Sequence, residues 1–168
     1  MMLDIAIDND GEWDSSTDWA GLVRGAAEAA IAESAFPQLA TCDRPIELSV
    51  RLSGDGEVRA LNSTWRGKDK ATNVLSFPQL EPDDLRTACG DGPELMLGDL
   101  VLARGVCASE ALNKAIALED HAAHLVVHGM LHLLGYDHQD DSAAEDMESR
   151  EVRALARIGI ADPYSDAL

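Results

Sequence analysis

The sequence predicts an α+β domain in which a small four-stranded sheet is covered by about five helices. Four short segments concentrate or alternate apolar side chains as strands do, and several longer segments repeat them at helical spacing. The length of 168 residues suits one domain with one substantial core. Apolar residues make up 46% and charged residues 26% of the chain, which is ordinary globular composition. We therefore expect residues 1–168 to form a single domain.

The first half of the chain predicts two strands and two helices. Apolar and acidic residues alternate over Leu3–Asp8, which is typical of a half-buried strand. Asp18 can cap a helix that runs to about Ala35. The alternation returns over Ile46–Ser53, and the segment S-G-D-G then turns the chain into a short helix over Glu57–Thr64.

The second half predicts two more strands and three helices. The strands are at Asn73–Phe77 and Leu97–Ala103, and the first two helices are at Gly105–Asn113 and Leu118–Leu134. The acidic segment between the two strands is rich in Gly and Pro, so we expect an exposed loop there. The last helix follows Asp141 and ends near Gly159, and Ser142 with Glu145 has the spacing of a capping box.

The charge of the chain argues against a general nucleic-acid coat. Thirteen Lys and Arg stand against 31 Asp and Glu, a formal net charge of −18, whereas binding to phosphate relies on cations. The cations are unevenly placed, because Arg59, Arg66, Lys68 and Lys70 fall within twelve residues. This cluster predicts either a solvated loop or a local anion-binding site.

Several features predict a cytoplasmic protein without a membrane partner. No segment approaches the ~18–20 apolar residues that a membrane span needs. The N-terminal residues lack the basic and apolar parts of a secretory signal. The cysteines Cys42, Cys89 and Cys107 match no metal or redox motif, which is typical of reduced thiols in the cytosol.

All five histidines lie between His121 and His138, and three of them form the pattern H-x3-H-x2-G-x2-H. His128 and His132 are four residues apart, so they share one face of the predicted helix. Gly135 can end that helix in the left-handed conformation and let the chain return with His138. Three converging imidazoles suit Zn²⁺ first, and other divalent transition metals less specifically. Catalytic zinc commonly has three protein ligands and keeps a position for water.

The histidine spacing equals that of the metzincin proteases, H-E-x-x-H-x-x-G-x-x-H, with one decisive difference. The residue after the first histidine is the general base Glu in those proteases, and it is Gly129 here. The metal site is therefore expected, whereas the peptidase mechanism lacks its base unless the fold supplies another carboxylate, such as Asp99.

Four residues near the histidine pattern have open roles. His121 and His124 lie on the same helical stripe as the predicted ligands, so they are candidates for supporting the ligands or facing the substrate. Asp137 and Asp140 are candidates for orienting the ligands through imidazole N–H groups, and equally for forming the turn.

Three stretches resemble the YbeY family of bacterial metal-dependent endoribonucleases, also described as rRNA maturation factors. Residues 128–138, H-G-M-L-H-L-L-G-Y-D-H, nearly fill the family signature H-G-x-L-H-L-x-G-Y-D-H. Residues 61–78, L-N-S-T-W-R-G-K-D-K-A-T-N-V-L-S-F-P, are similar to L-N-x-x-Y-R-x-x-D-x-P-T-D-V-L-S-F-P, and residues 97–103, L-G-D-L-V-L-A, to L-G-D-I-V-I-S. The departures are Trp65 for Tyr, Ala71 for Pro and Asn73 for Asp.

The resemblance implies a small mixed four-stranded sheet packed with helices, and a zinc site on a helix–Gly turn. It implies that His128, His132 and His138 bind one Zn²⁺ and act in catalysis together with Arg66. The implied substrate is single-stranded RNA in small-subunit rRNA processing and ribosome quality control, with the ribosome or its small-subunit proteins as partners and no role for DNA. The remaining cations of the basic cluster, Arg59, Lys68 and Lys70, are candidates for substrate binding.

Two other functions stay open at this point. One is a zinc metallohydrolase of another class, such as a peptidase. The other is a non-catalytic ribosome-assembly factor whose metal is structural. The sequence assigns no general base, so the nucleophile is either a metal-activated water or the 2′-OH of the RNA.

Overall fold

The structure, a computed structural model, describes residues 3–164 and contains one four-stranded sheet in the order β1-β2-β4-β3. The strands are β1 (Leu3–Asn9), β2 (Ile46–Ser53), β3 (Val74–Pro78) and β4 (Leu95–Ala103). The first two and β4 run parallel, and β3 runs antiparallel to β4. The predicted mixed sheet is therefore confirmed, and β3 forms one of its edges.

Six α-helices surround the sheet. They are α1 (Trp19–Ala32), α2 (Asp55–Arg66), α3 (Pro82–Arg86), α4 (Arg104–Lys114), α5 (Leu118–Leu133) and α6 (Asp141–Arg157), and a 3-10 turn covers Pro37–Ala40. Five of the helices correspond to the predicted ones. The sixth, α3, lies in the segment that we expected to be an exposed loop, because Leu85 and Ala88 are buried there against the core. Among residues 3–164, no helix combines the length and the apolar character needed to cross a bilayer.

The two faces of the sheet bury different apolar clusters. The larger cluster contains Leu100 and Leu102 of β4 and most buried residues of α1 and α5. The smaller cluster lies on the other face, where Val101 and Ala103 of β4 pack with Val58 of α2. Because successive residues of a strand point to opposite faces, β4 separates α5 from α2. The histidine-rich helix α5 thus packs on one face of the sheet, opposite α2.

The ends of the helices test two capping predictions. The predicted cap of α1 is confirmed, since the Asp18 carboxylate accepts the Gly21 N–H at 3.0 Å. The predicted capping box of Ser142 and Glu145 is wrong. The helix α6 begins two residues earlier, because the Asp140 carboxylate accepts the Ala143 N–H at 2.8 Å and leaves Ser142 inside the first turn.

A β-bulge in β4 brings the strand close to both β3 and α5. The register shifts between Glu47 and Leu48, so that Leu97 has no partner on β2 and Gly98 pairs with Leu48. Gly98 has φ +151°, and a Cβ there would collide with the carbonyl of Phe77 and lie 2.8 Å from Leu133 Cδ2. Glycine at this position therefore allows β3 and the end of α5 to approach β4.

Candidate metal centre

Helix α5 and the turn after it bring the three predicted ligands together. The rings of His128 and His132 have centroids 4.6 Å apart, and their Nε2 atoms lie 3.1 Å from each other. Gly135 has φ +93° and turns the chain back, as predicted, so that the His138 ring lies 5.5 Å and 5.1 Å from the other two. One ligand atom from each histidine lies within 4.8 Å of the other two. This separation suits three ligands of one ion.

Hydrogen bonds on the far sides of two rings determine which nitrogens face the centre. His132 Nδ1 lies 3.0 Å from the carbonyl of Tyr136, which can only accept, so Nδ1 carries the proton. His128 Nδ1 lies 2.8 Å from the Glu151 carboxylate and donates to it. Both Nε2 atoms therefore direct lone pairs at each other across 3.1 Å. Zn–N bonds of ~2.0–2.1 Å fit this gap, so the donor set suits a cation such as Zn²⁺.

The pKa of His132 is lowered to about 4, first by burial and then by the neighbouring imidazoles of His128 and His138. Burial disfavours the charged ring, and two nearby histidines oppose a second positive charge. The ring is therefore neutral near pH 7, which is the form of imidazole that binds a metal.

Glu151 belongs to this site, although it was not among the residues predicted from the sequence. Its side chain is 1% exposed and accepts three hydrogen bonds, from His128 Nδ1 at 2.8 Å, His124 Nε2 at 3.2 Å and the Tyr164 hydroxyl at 2.7 Å. Burial opposes its charged form, but these hydrogen bonds outweigh burial and lower the pKa of Glu151 to about 2. It is therefore a carboxylate at neutral pH.

A sequence signal for Glu151 does exist in the spacing of α6. The buried residues of this helix are Met147, Glu151, Ala154 and Leu155, which have the spacing i, i+4, i+7, i+8 and so share one face. An acidic residue in the middle of an apolar helix face requires a buried partner. Which residue is that partner depends on how α6 packs on α5, and the helical spacing alone does not specify this packing.

His121 and His124 hydrogen-bond to neighbouring carboxylates and do not belong to the group of three histidines that could hold an ion. His121 Nε2 lies 2.8 Å from Glu110 Oε1, and His124 Nε2 donates to Glu151. Within residues 3–164 the Nδ1 atoms of both rings have no hydrogen-bond partner. The departure at Asn73 also has a reason here, since its amide donates to Glu110 at 3.0 Å. An aspartate in its place would put two carboxylates in contact.

Arg66 lies in the same cleft as the three histidines. This cavity of about 540 Å³ is lined by Arg66, the edge strand β3 and His128, His132 and His138. The guanidinium donates to the Ser76 carbonyl on the outer edge of β3 and lies 5.4 Å from the centre of the Phe77 ring. These contacts hold Arg66 against the strand beside the candidate metal centre.

The other basic candidates lie elsewhere. The Arg59 guanidinium forms two hydrogen bonds with the Asp69 carboxylate, at 2.8 Å and 3.1 Å. Arg59 and Lys70 line a separate groove, and Lys68 is exposed without lining the metal cleft. A contribution of these three cations to substrate binding stays a prediction.

None of the three acidic candidates, Asp137, Asp140 and Asp99, hydrogen-bonds to a ring of the three histidines. Asp137 accepts the backbone N–H of His138 at 2.7 Å, and its carboxylate lies 3.8 Å from His138 Nδ1, beyond hydrogen-bond distance. Asp140 caps α6. Asp99 lines a cavity with Trp65 and Phe77 on the face of the sheet away from α5, so it does not reach the metal cleft.

Gly129 is packed tightly between α5 and the sheet. A Cβ at this position would lie 2.7 Å from Leu100 Cδ2 and 3.1 Å from Ser76 Oγ. Leu100 is fully buried and cannot move into solvent. The position that carries the general base in metzincins therefore has no room for a side chain here.

Known proteins are similar to this chain in sequence and in fold. The family profile described as Endoribonuclease YbeY matches residues 8–159. A protein of that name from Sphingopyxis alaskensis is 49% identical over 166 residues, which cover 98% of this chain and 99% of that protein. Another from Erythrobacter litoralis is 48% identical over 169 residues, 99% of each chain. The solution structure of TM1509 from Thermotoga maritima, 22% identical, shares the fold with a TM-score of 0.54 over 94% of this chain and 91% of that one. This chain therefore belongs to the YbeY endoribonuclease family.

Proposed function

We propose that this chain is a Zn²⁺-dependent endoribonuclease that cleaves single-stranded RNA. The observation that carries the proposal is the meeting of three histidines, two with Nε2 atoms 3.1 Å apart, in one cleft with Arg66. The relatives named Endoribonuclease YbeY support the substrate class. Three protein ligands leave a coordination position for a reactant, which is the arrangement of catalytic zinc sites.

The side chains of the cleft have different roles in the proposed phosphodiester cleavage. His128, His132 and His138 would hold the ion, which when bound supplies Lewis-acid activation of a water or a phosphoryl oxygen. Arg66 has five N–H donors, so one can remain on the Ser76 carbonyl while others pair with two phosphate oxygens. The guanidinium thereby stabilises the charge that develops on these oxygens.

The nucleophile is either the 2′-OH of the RNA or a water, and the reaction products distinguish the two. Asp137 is the one carboxylate among the described residues that line the cavity, and it already accepts the His138 N–H. Attack by the 2′-OH of the RNA leaves a 2′,3′-cyclic phosphate, whereas attack by water leaves a linear phosphate.

The setting of the reaction is proposed to be rRNA maturation in the cytoplasm. The chain carries a net charge of −18, which weakens attraction to arbitrary RNA. We assign Arg59, Lys68 and Lys70, which are exposed outside the cleft, to the attraction of RNA phosphates that extend beyond it. This combination favours RNA presented by a partner, so we assign the substrate to small-subunit rRNA in contact with the ribosome or its proteins, in processing and in ribosome quality control.

Two alternatives make different demands on the chain. A peptidase of the metzincin type requires a base where Gly129 packs against Leu100, and Asp99 lies on the opposite face of the sheet. A non-catalytic assembly factor requires only that the ion stabilise the turn between His132 and His138. The assembly-factor alternative predicts that the chain loses its fold, and not only its activity, when one of the metal-binding histidines is replaced.

The test compares wild type with Arg66→Ala, His132→Ala and His138→Ala, and uses Arg86→Ala as the matched control. Arg86 is an exposed arginine that pairs with Asp83 on α3 and does not line the cleft. We expect Arg66→Ala to keep its fold and metal while cleavage of an unstructured RNA falls by about 10²–10³-fold, the usual effect of removing one charge-stabilising donor. Both histidine variants should lose metal and activity but stay folded. Full cleavage by Arg66→Ala and His132→Ala would refute the proposal.

A further inference from the structure

The buried carboxylate of Glu151 has no role in the proposed cleavage chemistry. Moving a carboxylate out of water is strongly unfavourable, and an apolar residue between Met147 and Leu155 would avoid this penalty. The three donors around Glu151 lie within 3.2 Å, and one of them is a candidate metal ligand. A buried charge in contact with a ligand is suited to controlling that ligand.

We propose that Glu151 is a positioning residue that fixes the tautomer of His128 and thereby sets the affinity of the site for a divalent metal. The proposal rests on the metal-binding role of the three histidines. Glu151 accepts the Nδ1 proton of His128 at 2.8 Å, which leaves the Nε2 lone pair of that ring directed at the centre.

The geometry explains why the tautomer matters. A neutral imidazole carries its proton on either nitrogen, and a proton on His128 Nε2 would lie between that atom and His132 Nε2, 3.1 Å away. That proton would occupy the place of the ion. For His132 the correct tautomer is fixed by the backbone carbonyl of Tyr136, which is present whatever the side chain. For His128 the same task falls to Glu151.

The carboxylate is itself held in place by the remaining two donors. Oε1 is shared between His128 Nδ1 and His124 Nε2, and Oε2 accepts from the Tyr164 hydroxyl at 2.7 Å. His124 also contacts the Tyr164 ring edge-on, with centroids 5.6 Å apart. His124 and Tyr164 therefore fix the direction of Glu151, and Glu151 fixes the direction of His128.

The experiment compares Glu151→Ala and Glu151→Gln with Glu145→Ala, in which an exposed glutamate of the same helix is removed. Zn²⁺ affinity is measured by competition with a chromophoric chelator. The tautomer of His128 is read from its ¹⁵N chemical shifts in the metal-free protein. Thermal unfolding reports the fold of each variant.

We expect Glu151→Ala to weaken Zn²⁺ binding by about 10- to 100-fold, the usual effect of losing a hydrogen-bonded partner of a ligand. His128 should then populate both tautomers. Glu151→Gln keeps an oxygen that accepts from Nδ1, so it should restore the tautomer and part of the affinity. Tyr164→Phe should give a smaller loss, and Glu145→Ala none.

A purely structural role for Glu151 gives a different pattern. The melting temperature would fall while the His128 tautomer and the Zn²⁺ affinity stayed within about twofold of wild type, and that result overturns the proposal. If Glu151→Ala does not fold, Glu151→Gln and Tyr164→Phe still test the same relation. Failure of wild type to bind Zn²⁺ would refute the proposed function instead, because the tautomer in the metal-free protein is measured independently.

Discussion

Substituting Gly129 by glutamate would complete the H-E-x-x-H pattern of a zinc peptidase, and we expect it to destabilise the fold without creating a peptidase. A Cβ at this position lies 2.7 Å from Leu100 Cδ2, whereas carbon atoms in contact are normally ~3.5–4.0 Å apart. The helix or Leu100 must therefore shift by about 1 Å. Leu100 is fully buried, so the shift disturbs the core between α5 and β4.

The magnitude follows from three contributions. Overpacking a core costs roughly 1–3 kcal/mol. Replacing glycine by alanine inside a helix returns about 1 kcal/mol, so Gly129→Ala should lower the free energy of unfolding by about 1 kcal/mol. Gly129→Glu also directs a carboxylate at the buried sheet beside Ser76 Oγ, which adds several kcal/mol. Its total loss should be at least about 3 kcal/mol.

The assay is urea unfolding of both variants, with casein cleavage measured in the presence of zinc. Gly56→Ala is the matched control, because Gly56 lies in α2 and a Cβ there meets no atom within 4 Å. That variant should be stabilised by roughly 0.5–1 kcal/mol. A Gly129→Ala protein as stable as Gly56→Ala, or a folded Gly129→Glu protein that cleaves casein, would refute the packing argument.

Two further changes test the fold. Gly98→Ala should lose at least about 2 kcal/mol, because φ is +151° and the new Cβ meets the Phe77 carbonyl; an unfolding curve equal to that of wild type would contradict this. The hydrogen bond from Arg157, together with Arg153, lowers the pKa of Glu33 from 4.5. The resulting stability is present above pH 4.5 and is lost as the pH falls through the lower folded-state pKa. Glu33→Gln should therefore lower the free energy of unfolding in urea by about 1 kcal/mol at pH 7 and by less at pH 3. An equal loss at both pH values would exclude the ion pair as the cause of the loss.

The periodicity and spacing of residues close together in the sequence predicted the elements whose geometry is determined within a few residues. The alternation over Ile46–Ser53 gives a strand at those same residues, because burial of one face of a sheet leaves a period of two in the sequence. The three histidines could be found because one helical turn and one glycine determine their meeting, all within eleven residues. Helix α3 was not predicted, since its stability depends on burying Leu85 against distant elements.

The remaining residues of the site depend on tertiary packing. Glu151 lies 23 positions from His128, and their contact exists because α6 packs on α5. Arg66 reaches the cleft because α2 ends beside β3, and its site was indicated by family resemblance and by the surrounding cations rather than by helical spacing. The edge position of β3 likewise follows from strand order, which a strand's own sequence does not encode.

The unequal exposure of the three histidines has a kinetic consequence. His128 and His132 are partly buried on a helix that is anchored to the sheet, whereas His138 is exposed on a turn beyond Gly135. An ion held by the three histidines would be reached from solvent on the side of His138, so its release would begin at that ring and would then require His128 and His132 to dissociate. Because His138 lies beyond α5, on the turn after Gly135, we expect this first step to leave the helix folded.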